Sequence, residues 1–340
     1  MWLKVILNKK QVSSIWILSD GLPGHVNQSL GISKALAEEF PHDHVMLIFT
    51  LRYKLLRPLM RLLANFFPFF LTRFTLSLFY RYGSLPTNPP ALVISAGGNT
   101  LFASAAVAKI YRAPNVFSGT SKGYSHSLVR LVFTVTALNN SRNNVVLDLP
   151  PANINAAAGN KPKSSTTPLY ALLVGGDGAG YYYKESDWQR LAEALQEISQ
   201  RDGSKWLLTT SRRTGEKSEI LLNSRLAPEI CERAVWYGTK PAKVVKQFLQ
   251  ECDAVFCTED SLTMISEAIY AHKPVITLQP EVMHPDENDA MALQKYADQA
   301  FIHRVRIKEL SQLVLSDQEF CQNYPDIKKQ IVQAVREYCL

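Results

Sequence analysis

At 340 residues the chain is too long for one ordinary hydrophobic core and suits two domains. Its formal net charge of +7 is divided unevenly: residues 1–150 carry fifteen Lys and Arg against five Asp and Glu, whereas 151–340 carry twenty-two against twenty-five. Five cysteines (Cys231, Cys252, Cys257, Cys321, Cys339) all lie in the second half, odd in number and without paired metal spacing, so neither a disulfide framework nor a zinc site is indicated and a reducing compartment is favoured.

The N-terminal MWLKVILNKKQ has an apolar run too short for a signal peptide and no small-residue cleavage site, so the protein is expected in the cytoplasm. SSIWILS (13–19) reads as a β-branched strand, NQSLGISKALAEEF (27–40) as a helix and VMLIFT (45–50) as the next strand. The turn from Ser19 to Gln28 holds two glycines three apart, Gly21 and Gly24, that let a ligand approach the backbone at a helix N-terminus. Asp20 and His25 are its titratable residues and hence the general-base candidates for deprotonating an acceptor hydroxyl. A carboxylate is ordinarily ionised at neutral pH, which makes Asp20 the base on this reading, with His25 positioning the acceptor or the diphosphate.

Between His44 and Leu147 there is no Asp or Glu, yet there are eleven Lys or Arg, six of them in the apolar stretch Leu51–Leu85. One-sided charge on this scale points to an anionic surface. The longest uncharged run there, Leu62–Thr72, has eleven residues with Pro68 inside, against about 20 needed to cross a bilayer. Residues 51–85 are therefore expected to form one or two short amphipathic helices bent at Pro68, lying on the inner face of the cytoplasmic membrane. Phe66, Phe67, Phe69, Phe70, Phe74 and Phe79 would enter the acyl boundary and the arginines would meet lipid phosphates.

Beyond this insertion, ALVISAGG (91–98) reads as a buried strand, TLFASAAVAKIYR (100–112) as an apolar helix and APNVFSG (113–119) as a strand, with a second Gly-Gly turn at Ser95–Thr100. PPANINAAAGNKPKSSTTP (150–168) then breaks the pattern as a linker. Alternation restarts with strands at 169–176, 205–211, 234–238, 253–258 and 274–279 and helices at 186–201, 216–227, 241–252 and 261–272. Strands alternating with crossover helices imply parallel sheets. The expected architecture is α/β, two doubly wound Rossmann-like domains facing across a cleft as in a two-lobed nucleotide-sugar binder: a first domain at 1–150, a linker at 151–168, and a second domain at 169–340 whose C-terminal helix is free to pack back on the first.

In the second half Gly176, Asp177 and Gly178 occupy the first strand-to-helix turn. The glycine spacing departs from the dinucleotide fingerprint, and the following strand ends in TTSRRT instead of an acid, so a nicotinamide cofactor is not expected. Arg212 and Arg213 suit phosphate or base contacts. In TEDSLTMISEA (258–268) Ser261 stands near a helix N-cap, and Glu267 lies further along, where a carboxylate accepts from a ribose diol.

The motifs DGLPGHVNQSLGISKAL (20–36), TTSRRT (209–214), TEDSLTMISEA (258–268) and HKPVITL (272–278), in this order, resemble the bacterial members of the mitochondrial fission "elongated mitochondria" family, a branch of the GT-B glycosyltransferase-type proteins. The resemblance covers roughly Trp16–Leu278; FTVTALNN (133–140) stands where a Pro-Arg-His-Asp-like segment is expected. It implies that Ser211, Arg212, Asp260, Ser261 and Glu267 contact a donor nucleotide, and that the turn with Asp20 and His25 is the acceptor and catalytic side. The function it implies is an inverting glycosyltransferase acting on a lipid-linked or envelope-glycan acceptor, as in lipopolysaccharide assembly. The nucleotide-sugar is substrate rather than cofactor, and neither a metal nor nucleic acid is expected. A nucleotide-sugar epimerase of the same shape and a non-catalytic membrane adaptor stand as alternatives.

Overall fold

The computed structural model describes residues 13–138, 141–153 and 167–340. The N-terminal apolar run and most of the proline-rich linker lie outside the described residues. The chain divides into two compact units, Met1–Asn153 with Pro325–Leu340, and Ile154–Tyr324.

The first unit is built on a six-stranded sheet. Its strands are β1 (Ser13–Ser19), β2 (His42–Ile48), β5 (Leu92–Ala96), β6 (Asn115–Ser118), β7 (Leu131–Thr134) and β8 (Asn144–Val146), all parallel, in the order β2-β1-β5-β6-β7-β8. A central parallel strand is covered on both faces. Ile15 to Leu18 and Leu92 to Ala96 are accordingly buried without alternation. Helix α1 (Pro23–Ala37) starts four residues earlier than the periodicity suggests, because Pro23 sits where a helix needs no N–H. His25 therefore belongs to the first helical turn.

The insertion after β2 is clasped by a two-stranded antiparallel pair, β3 (Thr50–Leu51) with β4 (Tyr80–Arg81). Between them α2 (Arg57–Phe66) ends before a 3-10 turn at Pro68–Phe70, and α3 (Arg73–Phe79) follows, capped by Thr72. Proline, which cannot donate within a helix, sets the break. Met60, Ala64, Leu71, Leu76 and Phe79 point inward to the core with Phe102. Phe79 is 1% exposed, its ring 5.3 Å from Phe102, so it is a core residue and not an acyl-facing one as expected. Leu55, Leu59, Leu62, Phe66, Phe67, Phe69, Phe70, Phe74 and Leu78 remain exposed, Leu55 at 92%. Among the described residues no helix is long and apolar enough to cross a membrane.

The apolar α4 (Leu101–Tyr111) covers β5 and β6. The C-terminal α10 (Ile327–Cys339) belongs to this unit: it packs on α1, buries Ile327, Ile331, Ala334 and Val335, and pairs Lys328 with Glu38 and Arg336 with Glu39.

The second unit repeats the plan, with β9 (Leu169–Leu173), β11 (Lys205–Thr209), β12 (Cys231–Val235), β13 (Ala254–Thr258), β14 (Val275–Gln279) and β16 (His303–Arg306) in the parallel order β12-β11-β9-β13-β14-β16. Its helices are α5 (Glu185–Asp202), α6 (Glu216–Arg225), α7 (Val245–Glu251), α8 (Leu262–Ile269) and α9 (Glu287–Asp298). A short antiparallel pair, β10 (Tyr181–Tyr182) with β15 (Val282–Met283), closes one side of the Gly-rich loop.

Candidate functional sites at the two switch points

In an open parallel sheet the ligand crevice lies beyond the carboxyl ends of the strands where the winding direction reverses. In the first unit that point falls between β1 and β5, in the second between β9 and β13. The two strand-to-helix turns flanking each point hold most of the residues singled out above.

At the first switch point Asp20 follows β1, and its carboxylate receives three donors. His25 Nδ1 lies 3.0 Å from both oxygens, Asn99 Nδ2 donates to Oδ2 at 3.0 Å, and the Leu22 N–H donates to Oδ1 at 3.2 Å. The Asp20 side chain is only 5% exposed, whereas that of His25 is 30% exposed. A carboxylate accepts, so a neutral imidazole in this contact carries its hydrogen on Nδ1 and its lone pair on Nε2. Gly97, at φ +82°, is the floor under the ring: a Cβ there would lie 2.1–2.6 Å from the His25 ring atoms. Asn99 was not singled out by sequence, since its role depends on a residue 79 positions away.

Cations gather beside the same turn. Arg57 donates to Asn99 Oδ1 at 2.7 Å, Arg61 to the Lys122 carbonyl at 3.2 Å, and the Lys122 side chain lies over Gly98.

At the second switch point the Gly-rich turn is closely fitted. Gly175 N–H donates to Thr258 Oγ1 at 2.7 Å, while Ser211 Oγ and Thr214 Oγ1 donate to the Gly175 carbonyl at 2.8 and 2.5 Å. A Cβ on Gly175 would strike the Asp260 carboxylate at 2.1 Å, and one on Gly176 (φ +144°) the Arg213 carbonyl at 2.3 Å. Arg213 donates to Asp260 Oδ2 at 2.5 Å and packs along Gly178. The Asp260 side chain is fully buried, and burial pushes its carboxyl up against the opposing pull of Thr258 and Arg213. Asp260 thus holds Arg213 rather than presenting itself to solvent. Asp177 accepts from the Tyr183 N–H at 2.8 Å and braces the loop. Arg212 is exposed.

Ser261 caps α8, accepting from the Met264 N–H at 3.4 Å. Glu267 lies further along α8, where burial pushes its carboxyl up from 4.5 to about 7, and its charge bears on the buried Cys257 thiol together with those of Asp260 and Glu259. The structure therefore joins Gly176, Gly178, Ser211, Arg213 and Asp260 by direct contacts, with Ser261 and Glu267 on the adjoining helix. Among the described residues no group of three or more His, Cys, Asp or Glu is arranged to hold a metal ion.

Sequence reasoning missed the polar knot beneath this turn. Glu259, fully buried, takes a two-pronged bond from Arg304 (2.8 and 2.9 Å), a bond from Thr277 (2.7 Å) and further bonds from Gln279 and Tyr181. A buried charge persists only when it is paired and fully hydrogen-bonded. The acidic pair Glu259-Asp260 at a strand end was the available signal; Arg304 carried none, because HRVR does not read as a strand.

A family described as "Mitochondrial fission ELM1" matches residues 125–307, just over half of the chain. No curated protein sequence matches. Among solved structures, a UDP-GlcNAc 2-epimerase from Methanocaldococcus jannaschii is similar at 15% identity over 95% of this chain and 98% of that one, with a TM-score of 0.56. MurG from Acinetobacter baumannii is similar at 14% identity over 95% of each chain, TM-score 0.50. MnaA from S. aureus, solved with UDP, is similar at 14% identity over 96% and 92%, TM-score 0.51. At such identities the likeness is one of fold: two Rossmann-like α/β domains of the GT-B kind.

Proposed function

The chain belongs to the Mitochondrial fission ELM1 family, and from that premise we propose that it is an inverting glycosyltransferase acting on a nucleotide-sugar donor and a lipid-linked or envelope-glycan acceptor at the cytoplasmic face of a membrane. The observation that carries this reading is the His25–Asp20 pair at the first switch point, an imidazole with one nitrogen tied to a buried carboxylate and the other left to take a proton. The roles are the reverse of those read from sequence. Asp20 is occupied by three donors and orients; His25 is the base.

In the reaction His25 Nε2 takes the proton of the acceptor hydroxyl as that oxygen attacks the anomeric carbon. The bond from this carbon to the diphosphate oxygen breaks, the electron pair leaves with the nucleoside diphosphate, and the centre is inverted. Backbone N–H groups of the Gly176–Gly178 loop, the N-terminus of α8 at Ser261, and Arg212 with Arg213 supply positive potential for the diphosphate. Glu267 is assigned to the ribose hydroxyls, with Ser211 and Asp260 shaping the loop that carries the arginines.

The acceptor class is supported by two neighbouring features of the first unit. Arg57, Arg61 and Lys122 beside the Gly97–Asn99 turn suit an anionic head group, and the exposed apolar face of the insertion suits an acyl boundary. Within the acid-free stretch, exposed Lys54 and Arg81 add attraction for anionic lipid. An epimerase acting on a soluble substrate leaves this face without use.

A thermal-shift screen of UDP-, GDP-, CMP- and dTDP-sugars tests the donor. A ligand at a hundred times its dissociation constant stabilises by about 2.7 kcal/mol, so one of the four should raise the melting temperature. No shift with any of them would sink the transferase and leave the membrane adaptor.

A further inference from the structure

The insertion and the His25–Asp20 pair are joined by a continuous line of hydrogen bonds. Arg57, in the first turn of α2, donates to Asn99 Oδ1 at 2.7 Å; Asn99 Nδ2 donates to Asp20 Oδ2 at 3.0 Å; Asp20 holds His25 Nδ1 at 3.0 Å. From the far end of the insertion, Tyr80 Oη donates to the Asn99 backbone carbonyl at 2.7 Å. Asn99 is thus gripped by both ends of the insertion.

The chemistry leaves little freedom in this line. A guanidinium only donates and an ionised carboxylate only accepts, so the residue between them must accept on one side and donate on the other. A carboxamide does both, and its orientation is dictated by the two neighbours. Aspartate there would repel Asp20, and lysine would repel Arg57. Tyr80 is fully buried in the core cluster with Phe79 and Phe102, so it fixes the base of the insertion against the Asn99 turn, while α2, α3 and the short turns beside them present Leu55, Phe66, Phe69 and Phe74 to the surroundings.

We infer that Asn99 is a positioning residue through which the insertion sets the geometry of the His25–Asp20 pair, so that seating the apolar face on a bilayer holds the pair in its proton-accepting arrangement. This rests on the assignment of His25 as the base, and it adds a regulatory input: a base set most firmly when the lipid-linked acceptor is within reach. Arg57 transmits the setting and touches no reacting atom.

The test reads the imidazole itself, without substrate. In the full chain labelled with ¹⁵N-histidine, and with the His25 signals assigned by difference from His25→Gln, the wild type should show the hydrogen on Nδ1 and a bare Nε2. Arg57→Ala is exposed and stands two side chains away from the imidazole, so it should fold. It should move the His25 signals toward a mixture of the two tautomers and leave the other six histidines in place. Asn99→Ala should do the same more fully, and Arg57→Lys should restore part of the wild-type spectrum. Unchanged His25 signals in both alanine variants overturn the relay, whatever the enzyme's activity. A shift in these variants with no turnover on any donor upholds the relay and counts against the transferase reading alone. Adding nanodiscs that contain anionic lipid should sharpen the Nδ1–H signal of the wild type and not that of Arg57→Ala; bound discs with no such difference overturn the coupling to the surface. A wild type that does not bind the discs overturns that coupling too, together with the bilayer part of the proposed function.

Discussion

His25 Nδ1, Asn99 Nδ2 and the Leu22 N–H all converge on the Asp20 carboxylate, which on the proposed reading leaves His25 Nε2 for the acceptor proton. Sequence alone makes Asp20 the base, and this one hydrogen-bond arrangement is the ground for proposing His25 in its place. His25→Gln should reduce turnover by about 10²–10⁴-fold with donor affinity unchanged, the range for loss of a positioned base. Asp20→Asn should also reduce turnover, because an amide can donate to Nδ1 and so favour the wrong tautomer. Steady-state kinetics beside calorimetry of donor binding separates these effects from loss of the fold. Glu267 supplies a pH signature. Its carboxyl is pushed up to about 7 by burial, so the fold binds this proton more tightly than the unfolded chain does. Stability from this group is present at low pH and lost as pH rises through about 7, and Glu267→Gln should stabilise the protein at pH 8 relative to wild type but not at pH 4. A ribose diol donates to the ionised form, so wild-type donor affinity should climb between pH 6 and 8. Titration calorimetry at the two pH values, showing a flat profile in the wild type, would remove Glu267 from the donor site.

The element with the clearest division of labour is the 51–85 insertion. Its pattern of aromatic and basic residues was legible as amphipathic and broken at Pro68, and the helices end and restart there. Which rings face outward was not legible, because the six phenylalanines between 66 and 79 follow no single helical face and the polar Thr72, Thr75 and Ser77 stand among them; packing against Phe102 selects Phe79 for the core. The arginines are also less available than the sequence suggests. Arg57 and Arg61 serve the loops of the first unit, and Arg73 donates to Tyr111 and lies over its ring. Replacing them with Glu would disturb the fold as well as the surface, so the exposed rings give the cleaner experiment. Phe66→Ser, Phe69→Ser and Phe74→Ser together should abolish flotation with anionic vesicles, since each ring entering the acyl boundary contributes up to about 1.5–3 kcal/mol. Each exposed site should change stability by no more than about 0.5 kcal/mol, as expected of the surface. Undiminished flotation of the triple variant would show that the apolar face is not the contact.

Across the whole molecule the chain begins and ends in the same unit, since Pro325–Leu340 leaves the second unit and α10 docks on α1. Truncation after Tyr324 should therefore destabilise the first unit and not the one it follows. Exposing the faces that cover Ile327, Ile331, Ala334 and Val335 forfeits several kcal/mol, at about 1.5–3 kcal/mol for each large apolar side chain. Calorimetry should show one of two transitions moving down. The second unit has its own keystone: Arg304→Ala leaves Glu259 buried and unpaired, a loss of about 3–5 kcal/mol that denaturant unfolding would register in the other transition.

The sequence by itself determined the α/β class, the two-unit plan, the Gly-rich strand-to-helix turns at the switch points and the amphipathic insertion. All of these rest on local periodicity, glycine placement and charge, which act over a few residues. The edge strands Asn144–Val146 and His303–Arg306 escaped it, because their strand character comes from pairing at a sheet edge rather than from their own residues, and the buried interior strand Leu131–Thr134 was passed over although its apolar and β-branched residues favour one. Only the tertiary structure decided the partners: Asn99 for Asp20 across 79 positions, Arg304 for Glu259 across 45, Arg213 for Asp260 across 47. Hydrogen bonds and ion pairs of this kind exist because parallel crossovers bring distant turns to one edge of a sheet, and a chain's order carries no trace of that edge until it has folded.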